Sequence, residues 1–378
     1  MYLLPMADDP THIYVDLDIV NNDQTTNEDP PHLRFEETRN APFINNTAEY
    51  FCSIIRFSLQ LGNSLPIFIP RIQTGQADVN KTVYSVTIVN RSVTPNVEST
   101  VFLTFSPWNT TVSTPSPPLV SQDLSTDYYY VNSYQHFVEM INSALAQANT
   151  TANTGPYPPY LEFDNQTNLF ALYANKAVFD TDLSGTTSCQ IYFNNRLYQL
   201  LSTFPAKFKG NIGEKNYEIV VNSKLSGVRR YYNDTSQFLY SAVSVYQDIS
   251  TVATWNPVSS IVFCTSLIPV QPSHTGVANL YDGVGTNLVS GGNNANVASI
   301  LTDFEVSVNE SNQYRPTITM IPQAEYRLVE MNSVTNLNKI DIIAYWKTHY
   351  GDLIPLKLQP GCAAHIKLLF RHRRFHNE

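Results

Sequence analysis

The chain has 378 residues and a mass of 42.6 kDa, which suits two folded units. Hydrophobic residues make up 43%, enough for a sizeable core, so a wholly disordered chain is excluded. Charged residues are only 15%, and of the net charge of -9 residues 1–40 carry -7, so the rest of the chain is nearly neutral, a poor balance for a nucleic-acid binder and a good one for tight self-assembly. The polar surface must come instead from 36 Asn, 34 Thr and 23 Tyr. Thr, Tyr, Val and Ile favour strands, while Asn and Pro favour turns, so the composition argues for an all-β protein with long loops.

The charge is unevenly placed. Residues 1–40 hold nine acids, among them Asp16 and Asp18, and two bases, Arg34 and Arg39. They also carry Pro5, Pro10, Pro30 and Pro31. This stretch reads as an acidic N-terminal arm with one strand-like segment, Ile13 to Val20. Such an arm either stays mobile or pairs with a neighbour's sheet edge. The start, Met1 to Asp9, has no basic region and is cut by Pro5, so it does not read as a signal peptide. No apolar run approaches a membrane span.

Period-two apolar spacing follows at Ile55/Phe57/Leu59/Leu61, Tyr84/Val86/Ile88 and Val101/Leu103/Phe105. A Ser/Thr/Pro-rich stretch, Ser106 to Pro118, reads as a boundary. Phe137, Met140, Ile141, Ala144 and Leu145 then form one helical stripe, with Asn132 and Gln135 placed as a capping box. His136 lies one residue from the stripe and is expected at the helix surface or boundary. Tyr160–Asp164 and Leu169–Tyr173 flank Asn165-Gln-Thr-Asn168, a hairpin pattern. Leu197, Leu200, Leu201 and Phe204 make a second short helix that starts after Asn194-Asn195 and is stopped by Pro205.

Strand patterns resume at Ser260–Leu267, Phe304/Val306/Val308, Ile318/Met320, Ile340/Ile342/Ala344/Trp346 and Ile366/Leu368/Phe370. Pro360-Gly361 suits a type II turn and predicts a hairpin between Leu356–Leu358 and the last strand. Eight core strands, three before the α+β segment and five after it, is the jelly-roll number. The expected division is an arm at 1–40, a discontinuous jelly roll at 41–106 and 258–378, and an inserted α+β domain at 107–257.

Motifs that carry chemistry are missing. There is no phosphate-binding glycine loop of the GxxxxGK[ST] kind, no HExxH and no GxSxG. Gly283-Val-Gly285 with Gly291-Gly292 reads as a surface loop. Asp303 and Glu305 share a strand face opposite Phe304 and Val306, so a solvated face is the expected reading rather than a glycosidase pair. Cys52, Cys189, Cys264 and Cys362 are far apart and read as buried free thiols. The one basic cluster is C-terminal: Lys367, Arg371, His372, Arg373, Arg374 and His376. Arg371, Arg373 and Arg374 are candidates for contact with phosphate or with the acidic arm of a neighbouring subunit. A carbohydrate-binding sandwich stays open as an alternative and would need an exposed aromatic platform.

Four stretches carry a family likeness: Tyr128-Tyr-Tyr-Val-Asn-Ser-Tyr-Gln-His-Phe137, Ile191-Tyr-Phe-Asn-Asn-Arg-Leu-Tyr198, Trp255 to Pro269, and Tyr350-Gly-Asp-Leu-Ile-Pro-Leu-Lys-Leu-Gln-Pro-Gly-Cys362. Over roughly residues 45–375 the chain resembles the minor capsid (penton) proteins of virophages and polinton-like viruses, of the Sputnik type. That resemblance implies a single jelly roll, a homopentamer at each icosahedral vertex, and neighbours that are trimers of a double jelly-roll major capsid protein. It implies a virion location, an inserted domain that projects outward, no enzyme activity and no cofactor. Since the arm is acidic, protein is its expected partner. Any weak contact with packaged DNA falls to the Arg371–Arg374 cluster.

Overall fold

The computed structural model describes residues 10–22, 30–62, 64–110, 112–117, 127–183, 188–222, 226–232, 237–271, 273–275, 280–281, 287–289, 296–306, 317–322, 327–349 and 351–375. The Gly283-Val-Gly285 loop and His376 fall outside them.

In chain order the elements begin with β1 (His12–Val20), β2 (Arg34–Thr38) and β3 (Tyr50–Gln60). Next come β4 (Lys81–Asn90), β5 (Val97–Thr104), helix α1 (Tyr134–Ala152), β6 (Tyr160–Asp164) and β7 (Leu169–Asn175). The short helix α2 (Lys176–Phe179), β8 (Gln190–Phe193), helix α3 (Asn195–Leu200), β9 (Ala206–Phe208) and β10 (Tyr217–Ile219) follow. β11 (Ser226–Tyr232), β12 (Gln237–Tyr246) and β13 (Val258–Cys264) are longer strands. Four small ones are β14 (Ser273–Thr275), β15 (Leu280–Tyr281), β16 (Asn287–Val289) and β17 (Asn296–Ala298). The chain ends with β18 (Ile300–Glu305), β19 (Thr317–Met320), β20 (Val329–Glu330), β21 (Lys339–Thr348), β22 (Leu353–Pro355) and β23 (Ala363–His372).

Two units form. The first joins Met1–Leu65 with Pro257–Glu378, and the second is Pro66–Asn256. The inserted segment therefore starts at Pro66, not at 107. β4 and β5, expected in the discontinuous domain, lie in the insert instead. Their places in the first unit are taken by β1 and β2, from the stretch read as an arm.

The first unit holds two five-stranded antiparallel sheets, beside the small ladders β14-β17 and β15-β16. One runs β1-β23-β3-β19, with β20 also on β3; the other runs β18-β13-β21-β2, with β22 also on β21. Every strand pair in them is antiparallel. The sheets meet face to face: the Phe57 ring on β3 sits edge-on to Phe263 on β13 at 4.8 Å, and Phe304 joins at 5.8 Å. Ile340, Ile342, Ala344 and Trp346 are all buried, as their spacing predicts. The Pro360-Gly361 turn forms, with Gly361 at φ +74° and Cys362 N–H donating to Gln359 O at 3.1 Å. The expected hairpin does not. β22 pairs with β21, while β23 is taken by β1 and β3 on its two sides. Once both edges of β23 are filled, Leu356–Leu358 have no place beside it.

Asp341 on β21 locks the chain leaving β13. It is 1% exposed, and a buried carboxylate must fill its lone pairs. Its oxygens accept from Thr265 Oγ1 at 2.9 Å, Ser266 Oγ at 2.6 Å, Ser266 N at 3.1 Å and Leu267 N at 2.8 Å. Arg34 lies 3.9 Å away.

The second unit also carries two sheets, ordered β5-β4-β8-β10-β9 and β11-β12-β7-β6. Helix α1 packs on β4, β5 and β6. Its stripe residues Phe137, Met140, Ile141, Ala144 and Leu145 are buried as predicted, and so are Tyr134, Val138 and Ala148. Trp255 fills the centre. It stacks on Phe170 at 5.1 Å, meets Phe68, Tyr134 and Phe137 at 5.2–5.4 Å, and donates Nε1–H to Leu200 O at 2.9 Å. The N-terminal capping box is absent. Ser133 is the N-cap, with no side-chain cap bond, and the helix begins one residue later than the Asn132 cap implied. The C-terminus is well closed, with Asn153 left-handed at φ +52°. The 160–175 hairpin forms, with Asn168 at φ +56°. At its tip the Gln166 N–H and the Thr167 hydroxyl hold the Asp164 carboxyl below its ordinary value. This support is present above the unfolded-state value and fades as pH falls through the folded one.

Two substitutions test these contacts. Gly62 has φ +45°, and an added Cβ would sit 2.8 Å from Cys362 Sγ; Gly75 has φ +68° and open space. Gly62→Ala should lower stability by more than the ~1–2 kcal/mol of a left-handed penalty alone, while Gly75→Ala shows only that penalty, read by urea unfolding. Asp341→Ala should cost roughly 3–5 kcal/mol, because it strands several buried donors together.

Candidate assembly surface

The candidate residues Arg371, Arg373 and Arg374 end β23 and enter the last helical turn, Arg373–Phe375. In register, Arg371 stands between His12 on β1 and Phe51 on β3. It is half-buried. Arg373 donates from Nη2 to Met331 O at 2.9 Å, and its guanidinium lies 5.1 Å over the Phe51 ring. Arg374 is exposed.

Between them, His372 is 4% exposed and holds the corner together. Its Nδ1 accepts from Arg374 N at 3.2 Å, and its Nε2 faces Glu49 Oε2 at 3.4 Å. An acceptor Nδ1 implies that Nε2 carries the proton. Its ring also meets Tyr50 edge-on at 4.9 Å, and its N–H donates to Thr11 O at 2.9 Å. The three arginines are therefore unequal. Arg373 and His372 fasten the C-terminal turn to its own chain, and Arg374 points outward.

The acids foreseen as a neighbour's partners pair within the chain. Lys367 meets Asp16 at 3.2 Å, His365 meets Asp18 at 2.6 Å, and Arg56 meets Asp16 at 3.7 Å. The register explains this: Asp16 lies opposite Lys367 and Asp18 opposite His365. Sequence reading found both charged groups but missed Arg56 and Glu49. The β1–β23–β3 register sets Arg56 opposite Lys367 and within reach of Asp16, and the turn Thr47–Glu49 just before β3 brings Glu49 to His372.

Elsewhere the geometry is structural. Among the described residues no group of three His, Cys, Asp or Glu is placed to hold a metal. His136 is buried, against the surface position expected. Its Nε2–H donates to Ser106 O at 2.7 Å, and its ring contacts Phe105 and Trp108. The 106–108 segment covers the side of α1 that the stripe alone leaves open. Asp303 binds Arg327, and Glu305 is exposed, so the solvated-face reading holds for this pair. Trp255 and Trp346 are buried and only Trp108, 67% exposed, offers an indole face. All four cysteines are free, with Cys362 half-buried and the rest buried. Burial pushes the Cys52 thiol up to about 12 and the Cys264 thiol up to about 11.

A thiol probe at neutral pH should therefore label Cys362 first and Cys52 only on unfolding. Mass mapping of the labelled peptides checks this. Equal labelling of both in the folded protein contradicts the placement of Cys52.

Comparison with known proteins adds the family evidence. A family model described as Sputnik minor capsid protein V18/19 matches residues 13–372. Uncharacterized protein V18 of Sputnik virophage is 35% identical over 119 residues, covering 30% of this chain and 69% of that protein. Structural protein V19 of the same virophage is 24% identical over 212 residues, covering 55% and 91%. A chain in the cryo-EM structure of the Sputnik virophage superposes with a TM-score of 0.78 at 25% identity, covering 97% of this chain and 99% of that one. The mavirus penton protein superposes with a TM-score of 0.60 at 16% identity, covering 96% and 100%, which speaks to fold alone.

Proposed function

The chain belongs to the Sputnik minor capsid protein V18/19 family, and on that premise we propose that five copies close into a ring at each icosahedral vertex of a double-stranded DNA virus. As a minor capsid protein its place is the virion. The near-complete superposition on a chain of the Sputnik virophage particle carries this reading. The first unit supports it, since two facing antiparallel sheets supply the strands of one jelly roll. The second unit is the outward-projecting domain in this reading. A five-fold ring is a heterologous contact that closes, so two different surfaces of each copy meet. The remaining flank faces the major capsid protein of the adjacent trimers. The work is structural, with no reaction and no cofactor.

Low charge suits this role. A vertex protein buries lateral surface on every copy, and each charge taken from water must find a partner. Arg374 is the arginine with an outward side chain, so it is the member of the cluster that reaches a neighbouring subunit or packaged DNA.

Native mass spectrometry with negative-stain imaging tests the ring. A closed pentamer is expected, alone or with the major capsid protein added. A monomer under both conditions contradicts it. For the cluster, Arg374→Glu should leave the melting temperature in place and change particle yield or genome content. Arg373→Glu should lower the melting temperature, because it breaks the Met331 contact and puts an anion on the Phe51 face. Unchanged assembly and genome content in a triple reversal at Arg371, Arg373 and Arg374 would remove the cluster from both roles.

A further inference from the structure

At the β8-β10-β9 end of the second unit, one sheet face brings an amine, a carboxamide and a carboxylate together. Glu218 on β10 stands opposite Tyr192 on β8 and opposite Lys207 on β9. Side chains two residues apart on a strand share a face, so Gln190 joins Tyr192. Lys209 joins Lys207, because its N–H carries the ladder one step past β9, to Asn216 O at 2.8 Å.

Glu218 is buried and reaches two of these neighbours. Its Oε1 accepts from Gln190 Nε2 at 3.1 Å, and Lys209 Nζ lies 2.8 Å from Oε2. Among the described residues Oε2 has no hydrogen-bond partner, so its close contact is with the ammonium. On the other side of the carboxamide, the buried Tyr192 hydroxyl donates to Gln190 Oε1 at 2.9 Å. Burial, and after it the Glu218 charge, push that hydroxyl up to about 12, so it keeps its proton at neutral pH. One orientation of the Gln190 amide fits both partners, with NH2 toward the carboxylate and C=O toward the phenol.

An ordinary ion pair on a sheet needs no third group. Here one carboxylate touches the amine and the amide nitrogen at once, and a buried hydroxyl holds the amide oxygen. Exchange of one amide for another needs that set: a nucleophile, a proton carrier between it and the leaving group, and a donor for the oxyanion.

We propose that Lys209 and Gln190 join in an isopeptide bond. Glu218 takes a proton from the Lys209 ammonium, and the freed amine attacks Gln190 Cδ. The C–N bond forms as the carbonyl electron pair moves onto Oε1, where Tyr192 stabilises it. The attacking nitrogen gives a second proton to water, and Glu218 passes the first to Nε2. The Cδ–Nε2 bond then breaks, so one ammonia and one proton leave and nothing is oxidised or reduced. The Lys209 side chain is 43% exposed, which gives both a way out. Holding the two reactants on one carboxylate replaces a chance encounter by a short rotation of the lysine stem. The bond straps β9, a three-residue strand that ends its sheet, across β10 to β8. A short edge strand with few ladder bonds is where a sheet opens first. The reaction runs once within each copy, adds no turnover, and is independent of the vertex ring.

Intact mass under denaturing conditions tests it. The purified full-length chain, aged at neutral pH, should weigh one ammonia less than its sequence, about 17 Da. Trypsin should skip Lys209 and release one branched peptide that holds both residues. Lys209→Arg, Gln190→Met and Glu218→Gln should each show the full mass of their own sequence. Tyr192→Phe should slow the loss about tenfold or more. An unmodified wild-type mass overturns the proposal, whether or not the variants fold. So does a loss of ammonia that persists in Lys209→Arg, which assigns it to another residue.

Discussion

The first unit depends on pairing the two ends of the chain. β1 lies along β23 for nine residue pairs, from His12 opposite Arg371 to Val20 opposite Ala363. β2 lies along β21 in the other sheet. Without these ladders β23 and β21 would each lose a neighbour, and backbone N–H and C=O groups in a sandwich cannot be left unpaired cheaply. The insertion makes this pairing long-range, since everything from Pro66 to Asn256 separates the two parts of the unit. Loop closure over such a length costs entropy that local contacts do not repay. The charge pairs help with register more than with stability. Asp16 with Lys367 and Asp18 with His365 are largely exposed, and pairs of that kind contribute about 0–1 kcal/mol each. Their value lies in making a slipped strand wrong, because a shift of one residue would turn both acids to the other face.

The same acids guard the free side of β1. β1 ends its sheet, and an edge strand invites pairing by any other chain. A second β1 laid antiparallel across it would bring Asp16 and Asp18 near their own copies. Self-pairing at that edge is therefore disfavoured in a protein that must nevertheless associate. Low overall charge promotes contact in general, and a few placed charges veto particular contacts.

Several elements were legible in the sequence because local pattern decided them. The α1 stripe, the 160–175 hairpin and the presence of the α3 helix each depend on residues within one or two turns of each other. α3 itself starts at Asn195 under an Asn194 cap and ends at Leu200, short of the expected stop at Pro205. The face of β21 was legible for the same reason. Of the expected Phe304/Val306/Val308 face, only Phe304 lies in β18 and is buried, Val306 is half-buried past its end, and Val308 lies outside the described residues. What failed was partnership. β4 and β5 alternate like strands of the first unit, but β5 pairs with β4, and β4 pairs on its other side with β8, through Val86 opposite Phe193, more than a hundred residues away. Periodicity reports that a strand has a buried face and is silent on which sheet buries it. Leu356–Leu358 were misassigned to a hairpin because a good turn was taken to imply a pair. Residues 1–40 were read as an arm from their acids and prolines; the strand pattern of Ile13 to Val20 was visible, but its partner was expected in a neighbour, and it is β23 of the same chain. His136 was missed because a helix buried against two partners has a wider apolar face than its stripe suggests. In the candidate corner, the arginines were visible as a basic run. Which of them is tied down was not, since Met331, Phe51 and Glu49 reach it only through the fold.

Buried polar side chains do much of the shaping in this chain, and this connects composition to architecture. A chain with few charges and many Asn, Thr and Ser cannot fix its loops by surface ion pairs. It fixes them from inside. Asp341 gathers Thr265, Ser266 and Leu267, while Asn216 gathers Gly210, Gly213 and Asn195. Asn90 similarly ties the end of β4 to the carbonyls of Ala152 and Asn153 at the end of α1, at 2.9 and 3.0 Å. Each such group satisfies backbone atoms that no sheet or helix reaches. Loops held this way keep one shape before they meet a partner, so little ordering cost remains to be met when the partner arrives. The Asn-rich composition that argued for turns and long loops is thus the physical means by which a weakly charged chain presents fixed surfaces.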